Sequence, residues 1–223
     1  DLSQMAEQLA FRVQQLRRRM GSGLNRVSRE VRDIRMRTDQ LCLLPVKMLF
    51  SALHRAARDA AQTLRKKIEF RTTGGDQRVD AAVLSELKGA LSHLVRNAVD
   101  HGIEPIAVRV AAGKPSSGVL ELDVRRLGRR IVFRVKDDGQ GIDTEALVRL
   151  AVKAGRLAQP EAERLSTHDI LELMVRSGLS TKDVVTQVSG RGIGMDAVRD
   201  TIAKLGGEIR VETARGRGSC FEI

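Results

Sequence analysis

Four short motifs follow one another along the last 130 or so residues: His93-x-x-x-Asn97-x-x-Asp100-His101-Gly102, Asp137-Asp138-Gly139-Gln140-Gly141, Gly190-Arg191-Gly192-Ile193-Gly194 and Gly216-Arg217-Gly218. Each has a chemical reading. The amide oxygen of Asn97 is a hard donor suited to Mg²⁺, which takes oxygen ligands and binds through one or two protein groups plus phosphates. A carboxylate at Asp137 can accept from an exocyclic adenine amine, and Gly139 and Gly141 let the backbone approach a flat base closely. Gly190 to Gly194 opens the helical pattern from Met195 to Leu205, so its amides can face anionic phosphate at a helix N-terminus. Taken in order, the four describe a pocket for Mg-ATP.

Two other nucleotide motifs are excluded. A dinucleotide fingerprint at Gly190 to Gly194 would need an apolar strand just before it, and residues 180–189 are polar and loop-like. No Gly-x-x-x-x-Gly-Lys-Ser/Thr phosphate loop occurs either.

Leu91 to Glu104 resembles the asparagine box of the chemotaxis-type (CheA-like) histidine kinases, and Ser189 to Asp196 resembles their second glycine box. The likeness also covers Gly178 to Lys182 and extends weakly upstream to Pro45, with Leu179 standing where the family usually carries Phe. The resemblance implies an α+β chain: an N-terminal antiparallel helical hairpin, then an α/β sandwich, a mixed sheet backed by helices, shared with gyrase-type ATPases and Hsp90. It implies Asn97 as Mg²⁺ ligand and Asp137 as adenine acceptor, with His93 and His101 as further candidates at the metal or phosphates. Lys182 and the amides of Gly190, Arg191, Gly192, Ile193 and Gly194 would contact phosphate. Asp100, Gly139, Gly141, Ile142, Ser180, Thr181, Ser189, Met195 and Ser219 complete the expected nucleotide-binding set.

His93 separates the reaction classes. ATPases of the gyrase and Hsp90 type carry Glu four residues before the Asn to activate water. Histidine in place of that carboxylate suits an enzyme whose γ-phosphate goes to another acceptor. The expectation is a protein histidine kinase using ATP and Mg²⁺, working as a homodimer. Its phosphate acceptor would be a histidine-phosphotransfer domain outside this chain, with a receptor-coupling domain and a response regulator as further partners. The alternatives are an ATP-driven clamp and a nucleotide-binding dimerisation module without transfer activity.

The first 44 residues read as the hairpin. Leu2, Met5, Leu9, Val13, Leu16 and Met20 recur at helical spacing, Gly21-Ser22-Gly23 breaks the pattern, and Leu24, Val27, Val31, Ile34, Thr38 and Leu41 alternate at three and four. Two such helices cannot bury their own stripes, so pairing with a second copy is expected; the first looks short, as if truncated. Pro45 marks the boundary to a catalytic domain at 45–223. That domain is expected to hold a helix from Val46 to Lys67, a strand Ile68 to Thr72 and a long helix from about Asp80 to His101. A hairpin of Val119 to Arg126 and Arg130 to Lys136 follows, then helices near Asp143 to Ala154 and His168 to Arg176, and closing strands Glu208 to Thr213 and Ser219 to Ile223. A lid is expected at about 177–191, where large apolar groups are few. His54 is followed by Arg55, whereas an acceptor histidine is followed by an acidic residue, so His54 reads as structural.

Composition adds limits. Net charge is +11, most of it before residue 81, where 17 Lys and Arg face 9 Asp and Glu. Solvated helix faces account for such clusters more often than nucleic acid does. The absence of Trp and Tyr argues against a base-stacking surface. No run of about 18 apolar residues and no signal peptide is present, so no membrane insertion is expected. Cys42 and Cys220 match no metal or redox spacing and read as reduced thiols in a cytoplasmic protein.

Overall fold

The computed structural model describes residues 42–153, 155, 157–158, 161, 165–177 and 195–223. The expected hairpin, up to residue 41, lies outside them, as do the expected lid from residue 178, Leu179, and the site candidates Ser180, Thr181, Lys182, Ser189 and Gly190 to Gly194. All described residues but 42 and 43 belong to one compact unit, Leu44–Ile223.

The elements run β1 (Leu43–Pro45), α1 (Lys47–Thr63), β2 (Ile68–Thr73), β3 (Arg78–Asp80), α2 (Ala81–Asn97), a π-helical turn (Ala98–Gly102) and α3 (Ile106–Ala111). They continue with β4 (Gly118–Leu127), β5 (Arg130–Asp137), α4 (Thr144–Lys153), α5 (Thr167–Ser177), α6 (Met195–Lys204), β6 (Arg210–Ala214) and β7 (Gly218–Glu222). Five strands form one sheet in the order β2-β4-β5-β7-β6, and β1 pairs with β3 in a second, two-stranded sheet. Only β2 and β4 run parallel in the large sheet; the β4–β5, β5–β7 and β7–β6 pairs are antiparallel. The sheet is therefore mixed, as the resemblance implies.

Alternation along β4 and β5 places Leu120, Leu122 and Val124 on the inward face with Phe133 and Val135, and register sets Leu122 opposite Val135 and Val124 opposite Phe133. Against this face pack α1 through Leu49, Leu53, Ala57 and Ala61, α2 through Leu84, Leu87, Leu91, Leu94 and Val95, and α6 through Val198 and Ile202. The three- and four-residue spacing of these side chains explains why the segments are helices. Asp80 starts α2 as an N-cap, its Oδ1 accepting from the N–H of Ala82 at 2.8 Å. A smaller cluster of Leu147, Leu171 and Val211 joins α4 and α5 to β6.

Besides the short strands β1 and β3, which local pattern does not single out, two elements differ from the sequence reading. The helix expected to reach His101 keeps α-helical turns only to Asn97, after which Ile103 N donates to Ala98 O, a five-residue closure, at 2.8 Å. His101 therefore does not follow Asn97 at the four-residue pitch expected of an α-helix. The second difference is α3, whose six residues are too short for a periodic signal.

Leu91 is fully buried at the centre of α2. Leu91→Ala is expected to lower unfolding free energy by about 2–5 kcal/mol in urea denaturation. The exposed neighbour Glu86→Ala should stay within about 0.5 kcal/mol.

Candidate functional site

Strand alternation carries Asp137, the last residue of β5, to the inward face beyond Phe133 and Val135, opposite Leu120. Its side chain is 4% exposed. Oδ1 accepts from the backbone N–H of Gly139 at 2.9 Å, and the N–H of Ser219 also supports the carboxylate. Burial pushes its pKa up to about 6; the Gly139 and Ser219 N–H groups act against that shift, while the charges of Asp138 and Glu104 add to it. Asp137 is thus an acceptor that is ionised at neutral pH but poorly solvated. A polar donor arriving from a ligand would relieve that cost.

Several turns close round this carboxylate. A Cβ at Gly139 would overlap the carbonyl of Gly102, and one at Gly218, which holds φ +95°, would overlap the carbonyl of Asp137. Gln140 N donates to Gly102 O at 2.9 Å and Gln140 Nε2 to His101 O at 2.8 Å, tying the Asp137 turn to the π-helical turn. Gly216 N donates to Gln140 O at 2.8 Å, and Ile142 N to Thr213 Oγ1 at 2.8 Å, tying the same turn to the β6–β7 hairpin. The Ser219 hydroxyl lies 3.0 Å from Thr213 Oγ1. Three of the four motifs are therefore joined by backbone hydrogen bonds that meet at the Asp137 turn.

Asn97 ends α2, half-buried. Its side-chain amide makes no hydrogen bond among the described residues. That leaves its oxygen able to serve Mg²⁺ as a single hard donor, the ligand count this ion commonly takes from protein. No group of three or more His, Cys, Asp and Glu able to hold a metal exists among the described residues. His93 sits one turn before Asn97; burial first, then the charges of Arg96 and His101, push its pKa below the usual histidine value. It is neutral at physiological pH and keeps an acceptor nitrogen. His101 is more exposed and lies 3.2 Å from Asp100 through Nε2 and Oδ2. Met195, the first residue of α6, is buried within the core.

Motif reading missed two sets of residues. Lys66, just beyond α1, donates to the carbonyls of Val99 at 2.8 Å and Asp100 at 2.7 Å, satisfying the turn that follows Asn97. Behind the Asp137 turn lie the charges of Glu104, Arg109, Lys114 and Asp138. Arg109, fully buried, donates from Nη1 to Glu104 and from Nη2 to Asp138, both at 2.8 Å. Lys114 Nζ meets Glu104 Oε1 at 2.7 Å. Burial would raise the Glu104 carboxyl, but hydrogen bonds from Lys114, its own backbone N–H and Arg109 hold it below the usual carboxylate value. In sequence these four stand among many charged residues between positions 104 and 138, and no periodicity singles them out.

His54 is half-buried and packs at a tilt against Phe70, ring centres 4.6 Å apart. It also lines an open groove of about 480 Å³ beside α1 and β2, together with Arg58 and Lys67.

Residues 82–223 match the family model described as histidine kinase-, DNA gyrase B- and HSP90-like ATPase. Among curated proteins, the chain is 35% identical over 90% of its length to chemotaxis protein CheA of Bacillus subtilis, covering 29% of that protein. It is 36% identical over 100% of its length to CheA of Halobacterium salinarum, covering 34% of it. A CheA of Cereibacter sphaeroides is 39% identical over 80% of this chain, which spans 26% of that relative. The chain thus spans about a third or less of these relatives. With the mixed sheet and the ordered motifs in place, the chain belongs to the histidine kinase-, DNA gyrase B- and HSP90-like ATPase family, and within it carries a CheA-like histidine kinase ATPase domain.

Proposed function

We propose that this chain is the dimerisation and ATP-binding core of a histidine kinase in a chemotaxis-like two-component system. It passes the γ-phosphate of ATP to a histidine on a separate phosphotransfer domain. The observation that carries the choice of transfer over hydrolysis is His93. It stands one turn before Asn97 with its pKa depressed by burial, where the water-activating ATPases place a carboxylate. Without that carboxylate, and with the basicity of the imidazole lowered by burial, the position suits passing the γ-phosphate to an incoming nucleophile better than activating water.

The roles follow from chemistry at each position. Asp137 accepts from the adenine amine, with Gly139, Gly141 and Ile142 forming the wall of the base pocket and Ser219 supporting the carboxylate. Asn97 offers its amide oxygen to Mg²⁺, with Asp100, His93 and His101 on the same helix end. The ion, when bound, neutralises phosphate charge. Phosphate contacts fall to Ser180, Thr181, Lys182, the segment from Ser189 to Gly194 and the N-terminus of α6 at Met195. A lid at about 177–191 is proposed to close over the phosphates. Residues 1–44 are proposed as the hairpin that pairs two copies, and 45–223 as the catalytic domain. A receptor-coupling domain and a response regulator are proposed partners, in the cytoplasm. Among the described residues no helix is long and apolar enough to cross a membrane.

Two outcomes are expected. Because the ionised Asp137 is the stronger acceptor for the amine, affinity for ATP should be full above about pH 7 and fall as pH drops through its pKa of about 6. Titration of a fluorescent ATP analogue should show this fall in the wild type and a weaker, flatter profile in Asp137→Asn; a flat wild-type profile contradicts the role. The Asp137→Asn comparison assigns the fall to that carboxylate.

With γ-labelled ATP, the chain should label an added histidine-phosphotransfer domain, acid-labile and base-stable, while carrying no label itself. Asn97→Ala should lower transfer at least about a hundredfold. ATP hydrolysis outpacing transfer, or label on this chain that disappears in His54→Gln, would reject the reading.

A further inference from the structure

The charged cluster behind the Asp137 turn is linked to the carboxylate through covalent geometry. Lys114 Nζ donates to the carbonyl of Asp138 at 2.9 Å and to the carbonyl of Gly139 at 2.7 Å, besides its contact with Glu104 at 2.7 Å. All three of its N–H donors are thereby used. The carbonyl of Asp138 and the N–H of Gly139 belong to one planar trans peptide and point in opposite directions. That N–H is the one that holds Asp137 Oδ1 at 2.9 Å. The next peptide repeats the arrangement: the carbonyl of Gly139 is held by Lys114, and the N–H of Gln140 holds Gly102 O at 2.9 Å. A single ammonium thus fixes two successive peptide planes whose far edges carry the Asp137 carboxylate and the turn after Asn97.

Around Lys114 the supports are rigid. Glu104 is 7% exposed and takes Lys114 on one oxygen and the fully buried Arg109 on the other. Arg109 Nε donates to Pro115 O at 2.9 Å and Nη2 to Asp138 Oδ2 at 2.8 Å. Asp138 Oδ1 in turn accepts from Val119 N, at the start of β4, at 2.9 Å. Charges in the four side chains balance. Breaking one pair would leave a buried charge uncompensated, so the arrangement is stiff against local change. Donation to a peptide carbonyl also polarises that peptide, strengthening its N–H as a donor.

We propose that Lys114, supported by Glu104 and Arg109, is a positioning residue for base recognition. It orients the peptides at Asp138 and Gly139 so that the Asp137 carboxylate is aimed at a purine 6-amino group, and it thereby sets the preference for adenine over 6-oxo purines. This rests on the adenine role proposed for Asp137. Lys114 touches no ligand; its effect passes through two peptide planes.

The test compares ATP with inosine triphosphate, which carries a 6-oxo group in place of the amine, binding each to the wild type, Lys114→Met, Lys114→Gln and Asp137→Asn. Affinities are measured by titration on the same preparation, so a fraction of unfolded protein cancels in the ratio of the two. Lys114→Met should weaken ATP about tenfold, the scale of one charge-assisted hydrogen bond, and leave inosine triphosphate within about twofold. Lys114→Gln, which keeps an amide donor for one carbonyl, should recover part of the discrimination. Equal losses for both nucleotides, or none, in Lys114→Met would overturn the proposal and make the residue merely structural. Asp137→Asn reports on the underlying reading. If it collapses discrimination while Lys114→Met does not, only the positioning role is wrong. If Asp137→Asn leaves discrimination intact, the adenine role fails and the positioning role with it.

Discussion

The carboxylate of Asp137 is held inside the protein by backbone N–H groups, at the one end of β5 where strand alternation forces it onto the core face. Much of the local structure serves that placement. The carbonyl of Gly102 comes too close to permit a side chain at Gly139, and the Asp137 carbonyl excludes one at Gly218. Because its folded pKa of about 6 lies above the unfolded value, the group favours folding below the ordinary carboxylate range. That contribution is lost as pH rises through 6. At neutral pH the ionised side chain is a local liability, and a bound donor offsets it. On the adenine role proposed for Asp137, binding and stability are coupled at this residue.

The second constraint is the change of helical pitch after Asn97. Ala98 to Gly102 close by a five-residue hydrogen bond, and Lys66 takes up the carbonyls of Val99 and Asp100. Gly102 is thereby delivered against the Asp137 turn while Asn97 and His93 stay on the α-helical part. Wider turns of this kind are frequent at functional sites. On the roles proposed for Asn97 and Asp137, the widening lets one continuous segment supply both a metal donor and a wall of the base pocket.

Much of this was legible in sequence. The spacing of Leu84, Leu87, Leu91, Leu94 and Val95 gave a helix, and alternation in 118–127 and 130–137 gave the hairpin ending on Asp137. What was not legible has physical reasons. The π-helical turn depends on tertiary contacts from Lys66 and Gln140 and has no period of its own. Lys114, Arg109 and Glu104 look in sequence like any solvated charges. Only burial and the carbonyls they face set them apart. Strand β2 joins β4 in parallel across the intervening helices, a pairing that local pattern does not encode.

Nucleotide is proposed to bind where the Asn97, Asp137 and β6–β7 turns meet. Amide chemical-shift mapping on addition of Mg-ATP tests it most directly. Shifts should concentrate at 97–102, 137–142 and 213–219. Perturbation concentrated instead along the groove of His54, Arg58 and Lys67, with those three segments unchanged, would contradict the account.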